Sequence, residues 1–306
     1  MSTNASPAAQ GAADIEQQQG GPAALVCLIT VGLLLGLTAN VVKLAVAGGW
    51  QPLPLLFWST ALAGLVLLVA ALATGQRPGF SRRHLAYYLI CGFFSIAAPN
   101  AIGFSAVRHV GAAFVALSLA FPPLLTYLLA LPLGLERFRP ARAAGVIAGL
   151  AGALLLALSK AGEPGAPLFW IFLTLAAPLF IAAGNIYRTL HWPAGATPLS
   201  LAPGMLLGGA LLLAPFSGGD GTVLPVANGA FCFLPLQVFV FSATYALYFV
   251  LQKLAGPVYL SQIGAVGALA GAGIATFLLR ESPPALMVPA TIAILVGVLL
   301  VNRRRR

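Results

Sequence analysis

Apolar positions fill this chain in ten successive runs, at roughly 24–46, 54–74, 85–107, 111–133, 139–159, 168–190, 199–216, 231–254, 257–279 and 284–302. Each run is about 18 to 25 residues long, the length an α-helix needs to cross ~30 Å of hydrocarbon. The breaks between them are clusters of turn formers and charges: "GGWQPLP", "TGQRPGFSRRH", "LERFRPAR", "SKAGEPGAP", "HWPAGATP", "SGGDGTVLPVANG" and "RESPP". The thinnest is "VRHVG", between the third and fourth runs. The pattern predicts an all-α membrane protein with ten transmembrane helices.

Composition closes off the soluble classes. Of 306 residues, 60% are hydrophobic and 7% charged, and the mean hydropathy is +0.97, too apolar for a water-soluble domain of this length. The net charge of +10 does not point to nucleic acid, because the basic residues gather in short loops and at the C-terminus with no basic, aromatic-lined face. With alternating crossings, one side collects Arg77, Arg82, Arg83, Arg137, Arg139, Arg142, Arg188, Lys253 and Arg303 to Arg306, and the other only Lys43, Arg108, Lys160 and Arg280. Twelve against four predicts cytoplasmic termini. Residues 1–23 read as a disordered cytoplasmic tail and 303–306 as a basic one, and the first 20 residues lack the charged start and apolar centre of a signal peptide. Cys27, Cys91 and Cys232 have no partner at metal or C-x-x-C spacing, so no cofactor or metal is expected.

An internal repeat organises the rest. A gapless shift of 145 residues places Asn40 on Asn185, Lys43 on Arg188, Arg108 on Lys253, Gly111 on Gly256, Glu136 on Glu281 and Gly152 on Gly297. Residues 24–160 and 168–302 then form two five-helix repeats. Five is odd, so the second repeat enters the membrane from the opposite side, the inverted-repeat plan common among secondary transporters.

These residues resemble the drug/metabolite transporter superfamily, specifically its EamA type. The resemblance is carried by "LLALPLGLERFRPARAAGVIAGLAGALLLAL" and "AGIATFLLRESPPALMVPATIAILVGVLLV", by "TANVVK" and by "LAFPPLL", and covers essentially residues 24–302. One departure is that "IGAVGALAGAG" has no proline where the first half has "LSLAFPPLLTY". The resemblance implies a cavity lined mainly by helices 1, 3, 4, 6, 8 and 9. It also implies a bacterial-type inner-membrane exporter or exchanger of small metabolites, often amino acids.

Polar groups inside hydrocarbon are costly unless they face protein or a wet cavity. Asn40 and Lys43 share one helix face, as do Asn185 and Arg188. Each pair either meets a central cavity, or the asparagine bonds a neighbouring helix while the cation snorkels to the interface. Gln237, Phe241, Thr244, Tyr245, Tyr248 and Gln252 make a polar and aromatic stripe on the eighth helix, as a cavity wall or an interfacial belt. At the 145-residue shift Gln237, Tyr245 and Tyr248 face Gly92, Asn100 and Gly103, so large polar groups meet small ones. The expected substrate contacts are Asn40, Lys43, Asn100, Asn185, Arg188, Gln237, Tyr245, Tyr248 and Gln262. Pro99, Pro122, Gly267, Glu136 and Glu281 are expected hinges or gates, with Ser118 beside Pro122.

No run carries a carboxylate or histidine at its centre, so no proton relay is visible. The reading is a secondary transporter of an amino acid or organic anion, moving it outward by alternating access. Its expected partners are the lipid bilayer and a small-molecule substrate, and its expected state is a monomer or weak dimer. A membrane scaffold or sensor is the alternative; an intramembrane enzyme finds no catalytic motif.

Overall fold

Hydrocarbon offers no water to a peptide group, so a spanning segment satisfies its N–H and C=O groups within itself, and a helix does this. The computed structural model of the protein describes residues 22–134, 138–218, 230–260, 262–282 and 286–302, which form helices joined by turns and short irregular segments with no strand among them. The helices are α1 (Pro22–Ala47), α2 (Pro52–Ala73), α3 (Arg82–Val110), α4 (Ala112–Ala130), α5 (Pro140–Ala161), α6 (Leu168–His191), α7 (Pro198–Phe216), α8 (Phe233–Leu260), α9 (Ile263–Leu278) and α10 (Met287–Asn302). Eight of these regions are long and apolar enough to cross a membrane, and α9 and α10 are shorter apolar helices. The 16 residues of α10 rise about 24 Å, short of a ~30 Å core unless the bilayer thins around them.

Boundaries follow local chemistry. Proline opens α2, α5 and α7, where its missing N–H costs nothing, and Thr197 and Ser200 form a capping box on α7. Gly49 and Gly75 take positive φ of 102° and 73° just beyond α1 and α2. The expected break at 255–256 is corrected: α8 runs on through Gly256 and Pro257 to Leu260, because in apolar surroundings a continued helix leaves fewer peptide groups unpaired than a loop. Pro22 and Ala23, expected in the N-terminal tail, begin α1. The remaining tails and Glu136 lie outside the described residues.

Three helices carry irregularities. In α3 the segment Phe93–Ala97 is a π-turn immediately before Pro99, whose absent N–H would otherwise strand a carbonyl one turn back. In α4 the helix breaks at 119–121 ahead of Pro122 and Pro123, and i→i−3 bonds from Leu119, Ala120 and Phe121 carry the chain across. The end of α9, Ile274–Leu278, is again a π-turn.

Lipid tails are as apolar as leucine, so helices associate through close packing rather than water exclusion. The α1–α9 seam is built on glycine: a Cβ at Gly36 would lie 2.6 Å from Gly267 O and Gly271 N. Asn40 Nδ2 crosses this seam to Gly271 O at 3.0 Å while also bonding Gly36 O. Gly145 on Gly297 and Gly152 on Ala290 bring α5 and α10 equally close. Replacing Gly271 by leucine should therefore cost at least ~2 kcal/mol through overpacking. Gly273→Ala, where nothing lies within 4 Å, should be neutral or stabilising by about 0.5 kcal/mol. Thermal unfolding in detergent distinguishes the two.

Candidate functional site

A cavity of about 130 Å³ lies between the two halves of the chain. Its walls come from α1, α3 and α4 on one side and α6, α8 and the start of α9 on the other, the same six segments the resemblance implies. Most of the lining is apolar, from Val31 and Leu35 of α1 to Ala177 and Ile181 of α6. The polar groups are Asn100, Ser95, Asn185, Arg188, Tyr245 and Tyr248, with the hydroxyls of Thr38, Ser118, Thr174 and Thr244. A few convergent polar groups in an apolar pocket are what a small-molecule site requires. A cavity of ~150 Å³ holds benzene, so this one suits a ligand of about that size.

Arg188 is the charged group of the lining, and only 1% of it is exposed. Its position follows from "AGNIYR": Gly184 leaves room for Ser95, since a Cβ there would lie 2.6 Å from Ser95 Oγ. Nη1 donates to Ser95 Oγ at 3.1 Å and approaches Met205 Sδ at 3.7 Å. Nη2 donates to Tyr248 OH at 2.6 Å and to Asn185 Oδ1. Tyr248 OH in turn donates to Asn185 Oδ1 at 3.0 Å. Every acceptor is neutral, and among the described residues no carboxylate pairs with Arg188 and its Nε has no partner. Burying a cation without an anion costs several kcal/mol even after relaxation. Hydrogen bonds to a charged donor, at roughly 1.5–3 kcal/mol each, offset part of that.

Across the cavity, Asn100 Nδ2 donates to Ile96 O at 2.9 Å and to Tyr245 OH at 3.4 Å. Asn100 and Tyr245 are 145 residues apart, the spacing of the sequence repeat. Leu119 and Gly264, also 145 apart, touch as well.

The sequence-predicted residues divide into two groups. Asn100, Asn185, Arg188, Tyr245, Tyr248, Pro99 and Pro122 come together in the lining. The others lie elsewhere. Asn40 spends its amide on the α1–α9 seam, and Gly267 packs there on Gly32 and Leu35. Gln237 is fully buried in α8, its amide unpartnered among the described residues, and Gln262 precedes α9.

Lys43 and Glu281 meet each other. Glu281 accepts from Ala112 N at 3.0 Å and Ala113 N at 3.1 Å, so the end of α9 caps the start of α4, and Lys43 Nζ lies 3.5 Å from its Oε1. The ion pair is partly exposed, at 32% and 15%, and contributes about 1 kcal/mol or less. The backbone bonds do more to locate the carboxylate. Gly111, at φ +87°, is required here twice: its backbone is left-handed, and a Cβ would overlap Glu281 Oε1. Sequence reasoning missed Ser95, one turn before Pro99 in "FFSIAAPN", and missed the capping role of Glu281. The signal for the latter is that α4 starts on glycine with no Ser, Thr, Asp or Asn of its own to cap it.

Comparisons with known proteins agree with this architecture. Residues 22–158, a little under half of the chain, match the model of the EamA-like transporter family. A solved crystal structure is similar over 89% of this chain and 94% of its own, with a TM-score of 0.64 and 21% sequence identity, and so shares the fold. No curated protein matches the chain.

Two substitutions separate the seam from the cavity. Tyr248→Phe, which takes an acceptor from a buried guanidinium, should destabilise the protein by about 2 kcal/mol. Asn40→Ala should cost less, about 0.6–1.7 kcal/mol, the span of interhelical hydrogen bonds in membranes. Denaturant unfolding in mixed micelles measures both.

Proposed function

We propose that this chain is a secondary transporter that moves a small metabolite, an amino acid or organic anion, outward across a bacterial-type inner membrane. The observation that carries the reading is the cavity itself, walled by both halves of the chain and furnished with a buried cation that no carboxylate pairs with among the described residues. A scaffold has no use for such a group, and its desolvation cost is met when an anionic ligand arrives.

In this reading all ten helices cross the bilayer, the short α9 and α10 included, with both termini cytoplasmic. The halves are inverted repeats related by the 145-residue shift. Support comes from the contacts between Asn100 and Tyr245 and between Leu119 and Gly264, each joining equivalent positions. Adding 145 to one partner and subtracting it from the other also turns Gly145 and Gly297 into Ala290 and Gly152, which touch too. Rocking of one half against the other then exposes the cavity to each side in turn. Pro99 and Pro122 mark where α3 and α4 bend, and Glu281, holding the start of α4 to the end of α9 beside Lys43, acts as a gate that must release for the cavity to open at that end. The protein works as a monomer or weak dimer.

Reconstituted in proteoliposomes, the protein should catalyse counterflow of amino acids or short organic acids, and the double variant Asn185→Ala with Tyr245→Ala should lower that flux at least tenfold. Glu281→Gln should raise labelling of a cysteine placed at Val107 by an impermeant thiol reagent, because it removes the charge that Ala112, Ala113 and Lys43 hold. Unaltered flux in the double variant removes the site assignment. Absence of any flux, with a protein co-purifying, favours the scaffold reading.

A further inference from the structure

We infer that the cavity selects a small organic monocarboxylate over the corresponding amino acid. The inference rests on the transporter reading for its physiological meaning, but the binding chemistry stands on the lining alone.

An α-amino acid brings an ammonium as well as a carboxylate, and an ammonium with three N–H donors needs acceptors, ideally an anion. Among the described residues no carboxylate lines the cavity. Glu163 pairs with Lys160 at 2.6 Å on the surface, and Glu281 is held at the start of α4. The neutral acceptor nearest to Arg188 is already committed, because Asn185 Oδ1 receives protons from both Arg188 and Tyr248. An incoming ammonium meets a fixed guanidinium charge instead.

For a carboxylate the same lining is well furnished. Arg188 supplies the charge, its Nη1 and Nη2 bonded to neutral acceptors of which the thioether of Met205, at 3.7 Å, is the weakest and the most readily displaced. Its Nε has no acceptor among the described residues. Tyr245 OH accepts from Asn100 at 3.4 Å, so its own proton remains for a ligand oxygen. One cation calls for one anion, and a cavity of about 130 Å³ holds a body no larger than a benzene ring or a branched chain of four or five carbons.

The test uses matched probes on the purified full chain in detergent, read by calorimetry and thermal shift. Isovalerate and valine share an isopropyl body and differ by the ammonium; isovaleramide and isobutylamine lack the carboxylate; succinate adds a second one. Isovalerate should bind at least tenfold more tightly than valine or succinate, and the amide and amine should not bind at millimolar concentration. Arg188→Gln should abolish the preference of isovalerate over isovaleramide, and Arg188→Lys should retain part of it. Valine or isobutylamine binding as tightly as isovalerate overturns the inference. So do succinate binding more tightly and failure of isovalerate to bind at millimolar concentration, whether or not the Arg188 variants fold. Proteoliposome counterflow separates the two levels. Movement of valine without isovalerate leaves a transporter with the wrong assigned substrate. Tight, Arg188-dependent isovalerate binding with no flux of any probe leaves the site and removes the transporter.

Discussion

The peptide group's need for a partner, where no water can supply one, governs this structure. It makes every apolar run a helix, and it makes each interruption of a helix something the rest of the protein must repair. The repairs are specific. A π-turn absorbs the missing N–H of Pro99, i→i−3 bonds bridge the gap before Pro122, and a carboxylate from α9 receives the first N–H groups of α4. Each repair also aims a side chain: Ser95 toward Arg188, Ser118 into the cavity wall, Glu281 toward Lys43. In α3 and α4 the irregular backbone and the candidate chemistry are in the same places, because freed peptide groups in a membrane need protein partners around them.

Lys43 and Arg188 have opposite fates for an electrostatic reason. Lys43 stands near a helix end with an anion 3.5 Å away and one third of its side chain exposed. Arg188 is wholly enclosed, and a planar guanidinium with five donors can be held by scattered neutral acceptors in a way a single ammonium cannot. Those acceptors lie on α3, α6, α7 and α8, so the charge ties four helices together at the cavity floor.

Much of this was legible beforehand. Apolar run length and turn clusters placed the helices to within a few residues, since both obey local rules. The exception, Gly256–Pro257, failed because a proline ends a helix in water but not reliably in lipid. Asn100, Asn185, Arg188, Tyr245 and Tyr248 were recognisable as polar residues on helix faces that had no reason to choose lipid. Asn40 looked identical to Asn185 by that criterion. What separates them is which neighbour each one meets: Gly271 O sits within reach of Asn40 because four glycines let α1 and α9 approach. Such a distance belongs to the assembled bundle and to no single segment. Ser95 was hidden for the same reason, its role arising only once Gly184 of another helix admits it.

The meeting of Asn100 with Tyr245 carries an implication about assembly from one chain rather than two. In a dimer of identical subunits a residue on the two-fold axis faces its own copy, so whatever sits there must be self-complementary. An asparagine would face an asparagine. With both halves on one polypeptide, a donor on one can meet an acceptor on the other, and a glycine can admit the backbone carbonyl of Leu119 at close range. Unlike residues at such facing positions are available to a single chain, and they give this cavity two chemically distinct walls.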